Sequence, residues 1–199
     1  ECPLHSRTLQ KASLSEQQCE CEPGYYMSSG DVDGVLFCER CSVGKYKPFV
    51  GNLESMCVEC PLGFYGVVTG AHNVSDGCTA CLPGTYNDIT GAESVEGCRD
   101  CKKGKYSVAY GLGAASLCTD CPQGSYSASV GANSSDVCIL CPSGKYGTAV
   151  GAYMLSTCMD CANGKVSAPG SAGEYSCVGV DDVGVIPKEA SGILVGITI

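Results

Sequence analysis

The chain repeats one device, a pair of cysteines two residues apart. Cys38-x-x-Cys41, Cys57-x-x-Cys60, Cys78-x-x-Cys81, Cys98-x-x-Cys101, Cys118-x-x-Cys121, Cys138-x-x-Cys141 and Cys158-x-x-Cys161 follow in series, the second cysteines stepping by 19, 21, 20, 20, 20 and 20 residues. A period of that size marks a stack of small units, none of which buries a core by itself. Each unit continues alike. The third residue after the second cysteine is Gly44, Gly63, Gly84, Gly104, Gly124, Gly144 or Gly164. Two residues later come Tyr46, Tyr65, Tyr86, Tyr106, Tyr126 and Tyr146, until Val166 breaks the series. Five residues after each of those tyrosines stands a second glycine: Gly51, Gly70, Gly91, Gly111, Gly131 and Gly151. An earlier, divergent unit runs from Cys21 through Gly24 and Tyr26 to Cys38.

The first glycine, often preceded by a proline (Pro61, Pro83, Pro122, Pro142), supplies a tight turn where φ is free to be positive. Tyr-x-x-x-x-Gly reads as a short strand ending in another turn, too brief for a helix. The pattern predicts a small disulfide-rich fold: an elongated tandem-repeat rod of short β-hairpins and turns, with little or no helix and one sequential disulfide per ~20-residue repeat. Residues 1–20 are expected as an N-terminal cap, 21–177 as about eight cysteine-rich repeats with an atypical last one, and 178–199 as a cysteine-free β-type tail. Tyr26 and the six later tyrosines are read as repeat packing, ring against disulfide and hydroxyl near water. A periodic ladder of rings for sugars is the alternative.

Composition explains why covalent staples are required. Cysteine and tyrosine supply 29 of the residues counted as hydrophobic, and the 199-residue chain has no Trp and only three Phe. Cysteine at 18 copies is the usage of a secreted disulfide scaffold. The pairing that uses every cysteine at a uniform interval is Cys2–Cys19, Cys21–Cys38, Cys41–Cys57, Cys60–Cys78, Cys81–Cys98, Cys101–Cys118, Cys121–Cys138, Cys141–Cys158 and Cys161–Cys177, with separations of 16 to 18 residues. A crossed pairing between successive Cys-x-x-Cys pairs is the runner-up. The quartet Cys38, Cys41, Cys57, Cys60 has zinc-ribbon spacing, but grouping by fours from Cys38 leaves Cys158, Cys161 and Cys177 as an incomplete set. No metal and no cofactor are therefore expected.

Two sequons, Asn73-Val74-Ser75 and Asn133-Ser134-Ser135, each begin five residues before a cysteine and so share one slot of the repeat. N-linked glycans are expected there. An acidic slot (Glu59, Asp100, Asp120, Asp160) and a basic slot (Lys45, Lys105, Lys145, Lys165) also recur, read as ion pairs between repeats or simple solvation. A net charge of −9 with 12 Lys+Arg excludes nucleic acid as a partner. His5 and His72 stand in no catalytic spacing, and the chain carries no nucleophile elbow or P-loop, so it is not read as an enzyme.

The run Cys118-Thr119-Asp120-Cys121-Pro122-Gln123-Gly124-Ser125-Tyr126 resembles the ephrin-receptor-like cysteine-rich repeat, within the broad group of EGF-like and tumour-necrosis-factor-receptor-like modules. The resemblance spans about Cys21 to Cys177. It implies an extracellular, elongated, disulfide-laddered and noncatalytic rod, as in receptor ectodomains and long surface glycoproteins. Val166 and the run Pro169 to Gly173 mark the last repeat as atypical, as capping repeats often are.

After Cys177 the sequence turns β-branched and glycine-spaced around Pro187, with no partner expected within the disulfide ladder. An edge strand folded back on the last repeat, or the remnant of a following domain, is one reading. The sharper one makes Ile193, Leu194, Val195, Ile197 and Ile199 a donor strand that docks head-to-tail on another copy. The functional reading is an extracellular or cell-surface structural protein, a rigid glycosylated rod and filament or coat subunit. The alternative is the ligand-binding part of a receptor ectodomain, with an extracellular protein as partner. A membrane enters only if the chain continues past Ile199.

Overall fold

A computed structural model describes residues 2–9, 18–29 and 35–180. Among the described residues, nine two-stranded antiparallel sheets succeed one another, with one short α-helix, Val74–Gly77. Ser6–Thr8 pairs with Cys19–Cys21, Tyr25–Ser29 with Leu36–Arg40 and Lys45–Tyr46 with Val58–Glu59. The pattern continues to Lys165–Val166 with Val178–Gly179. Two-residue strands are far below the length at which a hairpin holds itself together in water. A disulfide closes each one.

The bridges are Cys2–Cys19, Cys21–Cys38, Cys41–Cys57, Cys60–Cys78, Cys81–Cys98, Cys101–Cys118, Cys121–Cys138, Cys141–Cys158 and Cys161–Cys177. No cysteine is free, so no thiolate remains for a metal. Each closed loop of this length contributes about 3 kcal/mol on the chain-entropy account. The buried interior is accordingly sulfur: Cys21, Cys41, Cys60, Cys101 and Cys121 are wholly covered, with small residues such as Ala71, Ala132 and Ala152 between them.

The chain divides into two compact units, Glu1–Thr119 with Ser129–Val137 and Asp120–Ala128 with Cys138–Ile199. In the first, Thr85 N–H donates to Leu82 O at 3.1 Å, closing a turn whose third residue, Gly84, has φ of +85°. That is the geometry for which glycine is the default. Space imposes the same choice. A β-carbon on Gly24, Gly44, Gly63 or Gly84 would stand 2.2, 2.4, 2.0 or 2.2 Å from the carbonyl oxygen of Gly70, Gly91, Gly111 or Gly131. Each of those is the second glycine of the repeat two places on. The turn glycine is thus a point of contact between repeat n and repeat n+2.

Repeat n also bonds to n+1. Gly70, Gly91, Gly111 and Gly131 donate N–H to Cys41, Cys60, Cys81 and Cys101 O at 2.8–2.9 Å. Lys47, Gly66, Asn87 and Ser107, the residues after the aromatic, donate N–H to Ala71, Ala92, Leu112 and Ala132 O at 2.8–3.0 Å. The second unit has the same bonds from Gly151 to Cys121, Gly170 to Cys141, Ser127 to Ala152 and Gly147 to Ser171. There a β-carbon on Gly124 would stand 2.1 Å from the Gly170 carbonyl oxygen.

The repeat pattern also reaches into the N-terminal segment and just past Cys177. Residues 2–9 and 18–21 share more than cysteines with the repeats. Glu22 N–H donates to His5 O at 2.8 Å, as Cys41 N–H does to Gly24 O, and His5 occupies the turn-glycine slot at φ of +62°. Its ring stacks on Tyr25 with centroids 4.2 Å apart. Gly51, which faces this slot in the register, lies at φ of +149°, away from the +62° to +78° of its counterparts. The chain beyond Cys177 likewise begins inside the ladder, because the hairpins from Lys45 onward take their return strand from the residues just after the closing cysteine. Val178–Gly179 supplies that strand, and Val180 N–H donates to Gly164 O at 3.0 Å.

Gly84→Ala is expected to lose about 3 kcal/mol, from left-handed strain plus the displaced Gly131 carbonyl. Gly164→Ala, with no described atom within 4 Å of the added carbon, is expected to lose only the strain, about 1 kcal/mol. Guanidinium unfolding of the oxidised variants measures both, and equal losses would refute the n-to-n+2 contact.

Candidate functional site

The polar interior is periodic, which the sequence reading missed. The residue after each aromatic (Lys47, Gly66, Asn87, Ser107, Ser127, Gly147, Ser167) is buried. Two of these side chains reach back to the carbonyl beside the previous turn glycine: Asn87 Nδ2 donates to Phe64 O at 2.7 Å and Ser167 Oγ to Lys145 O at 2.7 Å. Lys47 carries this furthest. Its ammonium, fully covered, donates to Gly51 O at 2.7 Å, Glu22 O at 3.3 Å, Cys21 O at 3.4 Å and the Tyr25 carbonyl. Burial pulls the Lys47 amine below its ordinary value, with Glu20 acting in the opposite sense. Nearby, Asn52 Oδ1 accepts from Cys21 N–H and its Nδ2 donates to Cys19 O, both at 2.9 Å. Aligning the repeats on their tyrosines exposes the small-or-polar slot. The carbonyl cage around one lysine has no linear signature.

Of the tyrosines, Tyr86 is the most enclosed, packed with Leu112, Cys101 and Cys118, and Arg99 lies over its ring at 5.3 Å. Tyr26, Tyr46, Tyr65, Tyr106, Tyr126 and Tyr146 are half-buried. The Tyr26 hydroxyl is held above its ordinary value, chiefly by burial and then by its hydrogen bond to Glu39.

One basic slot residue pairs with the acidic one of its own repeat, where the sequence suggested pairs between repeats or simple solvation. Lys145 Nζ lies 2.5 Å from Asp160 Oδ1 across its own hairpin, and Lys45 stands opposite Glu59. The short hairpin register places Lys45 directly across from Glu59 and Lys145 across from Asp160, while Lys165 faces Gly179. Glu59 Oε2 does reach two repeats on, accepting from Thr90 Oγ1 at 2.5 Å.

The two sequon asparagines differ. The Cys60–Cys78 interval has a separation of 18, and its added residue turns the usual 3-10 turn into the helical turn Val74–Gly77. Asn73 caps it, Oδ1 accepting from Asp76 N–H at 2.9 Å while Nδ2 donates to Asp76 Oδ2 at 2.6 Å. Asn133 is exposed, and Ser134 Oγ takes the capping role toward Asp136 N–H at 3.2 Å. Exposed apolar residues recur in the stretch before each second glycine. Phe49, Val68, Ile89, Tyr110 and Val130 occupy it in the first unit and Val150 in the second. His72 Nε2 meets Asp76 Oδ2 at 2.7 Å. Ile193, Leu194, Val195, Ile197 and Ile199 lie outside the described residues. Among the described residues, no His, Cys, Asp and Glu side chains cluster as a metal site, and no helix is long and apolar enough to cross a membrane.

The family described as tyrosine-protein kinase ephrin type A/B receptor-like matches residues 24–77 and 109–158, just over half of the chain. The chain belongs to this family. Its repeats are cysteine-rich extracellular modules. Cysteine repeat modular protein A of Toxoplasma gondii is 32% identical over 96 residues, covering 48% of this chain and 3% of that protein. The sushi, von Willebrand factor type A, EGF and pentraxin domain-containing protein 1 of Rattus norvegicus is 33% identical over 88 residues, covering 43% of this chain and 2% of the relative. The mouse protein of the same name matches at 33% over 88 residues. The chain therefore spans only a few per cent of the length of these relatives.

Lys47→Met is expected to lose about 3 kcal/mol, because buried carbonyls are left without donors; denaturant unfolding measures it. Asn73→Gln should lose about 1 kcal/mol of cap stability and Asn133→Gln almost none, in glycan-free protein. Equal losses would show that Asn73 does not cap its turn.

Proposed function

We propose that the chain is a noncatalytic structural protein of the cell exterior, a rigid glycosylated rod that serves as subunit of a surface filament or coat. The observation that carries this reading is the register of backbone bonds repeated within each compact unit, where hairpins such as Cys60–Cys78 and Cys81–Cys98 are bound to the next. A bonded joint of that kind stiffens the unit in which it lies. Glycans on Asn73 and Asn133 cover it, and the tail residues Ile193, Leu194, Val195, Ile197 and Ile199 dock head-to-tail on a neighbouring copy. The exposed apolar tips, which differ in identity from Phe49 to Ile89 to Tyr110, favour the second reading, a receptor ectodomain that reads a protein ligand. Electron microscopy of the secreted chain separates the two. Filaments that vanish on deletion of residues 193–199 are expected; monodisperse particles at every concentration would favour the receptor.

A further inference from the structure

The two sequons lie in the first compact unit and share a slot of the repeat, yet they hold their acceptor nitrogens differently. Their third-position hydroxyls, Ser75 and Ser135, are both exposed, so the difference lies at the asparagines. The three-residue turns Glu54–Met56, Val95–Gly97 and Ala115–Leu117 of this unit have no side-chain cap from Leu53, Ser94 or Ala114. Asn73 caps its turn with both ends of its amide: Oδ1 accepts from Asp76 N–H at 2.9 Å and Nδ2 donates to Asp76 Oδ2 at 2.6 Å. The same carboxylate oxygen meets His72 Nε2 at 2.7 Å. At the second sequon Ser134 does both jobs, its Oγ accepting from Asp136 N–H at 3.2 Å and donating to Asp136 Oδ2 at 2.9 Å. Asn133 is left exposed.

The turn that holds Asn73 is itself held. Gly77 N–H donates to Asn73 O at 3.1 Å and Cys78 N–H to Val74 O at 2.8 Å. A β-carbon on Gly77 would stand 2.5 Å from that of Ala71, and one on Gly66 would stand 2.5 Å from Gly77 O. The end of the turn is thus pressed against its own repeat, and the Cys60–Cys78 bridge fixes it there. Asn73 Nδ2 comes free only when this turn opens, which the bridge opposes.

N-glycosyl transfer needs that nitrogen. Nδ2 attacks C1 of a sugar carried on a polyprenyl diphosphate. The C1–N bond forms, the C1–O bond to the diphosphate breaks with its electron pair, and one amide proton leaves to a base of the transferase. An amide clamped at both ends against Asp76 is not free to swing into position for this attack; an exposed one is.

We propose that the sequons are acceptors of two kinds: Asn133 takes an N-linked glycan on the folded chain, whereas Asn73 takes one only before the Cys60–Cys78 hairpin closes. This rests on the reading of the chain as a glycosylated extracellular protein. It makes the occupancy of Asn73 a record of the race between sugar transfer and closure of that hairpin.

The test offers glycan-free, oxidised protein to an N-glycosyltransferase with a polyprenyl-diphosphate oligosaccharide, and reads transfer from the mass of each sequon peptide. Asn133 should be modified at least about tenfold faster than Asn73 in the oxidised chain, and the two at similar rates after reduction and alkylation. Asp76→Ala, which keeps every disulfide, should raise the Asn73 rate about fivefold and leave that of Asn133 unchanged. Equal rates in the oxidised chain, or an Asn73 rate that ignores reduction or Asp76→Ala, would overturn the proposal while the glycosylated reading stands. No transfer to either asparagine, even after reduction, would overturn both.

Discussion

The closure of each hairpin by its own disulfide is the constraint on which everything else rests. A strand of two residues makes too few hydrogen bonds to repay the entropy of ordering it. Cross-linking Cys41 to Cys57, or Cys121 to Cys138, removes much of that entropy from the unfolded chain before folding begins. The stapled hairpin is then a small, preformed object, and what remains is to join such objects. The sulfur atoms also fill the space in which a larger domain would bury leucines.

Joining is done by backbone more than by side chain. The second glycine of one repeat donates to the cysteine carbonyl of the repeat before, and its own carbonyl rests against the turn glycine of the repeat before that. Close approach of backbone to backbone is the reason the turn-glycine position excludes a β-carbon, whereas at the second glycine, held at positive φ, an added carbon would meet side chains such as those of Arg40, Glu59 and Phe64. Buried polar side chains complete the joints. Asn87 and Ser167 satisfy a carbonyl beside the previous turn, and Lys47 satisfies several at once. A charge in that position is tolerated because carbonyl dipoles surround it on every side.

Departures from the repeat are informative because each has a local physical cause. His5 replaces a glycine, stacks on Tyr25, and is matched by an altered backbone at Gly51. The extra residue before Cys78 converts a 3-10 turn into an α-turn and recruits Asn73 as its cap. Outward-facing apolar residues such as Phe49 and Tyr110 take no part in the joints, which leaves them free to differ from repeat to repeat. Relatives as distant as a protist cysteine-repeat protein and a mammalian multidomain protein share the framework over a few per cent of their length. A unit that is complete with two neighbours can be inserted in series wherever a stack is needed.

The sequence by itself determined the repeat, the hairpin character, the turn glycines and a uniform cysteine interval, because those depend on residues close together along the chain. It also marked Asn73 and Asn133 as one slot. It could not separate those two asparagines, which differ only through the helical turn that one added residue creates. Nor did it show that Lys145 meets Asp160 inside a hairpin instead of across a joint, that His5 fills a glycine's place, or that Lys47 is enclosed by carbonyls. Those outcomes were decided in three dimensions, by the strand register within a hairpin for Lys145 and Asp160 and by the close approach of neighbouring repeats for Lys47, neither of which spacing along the chain encodes.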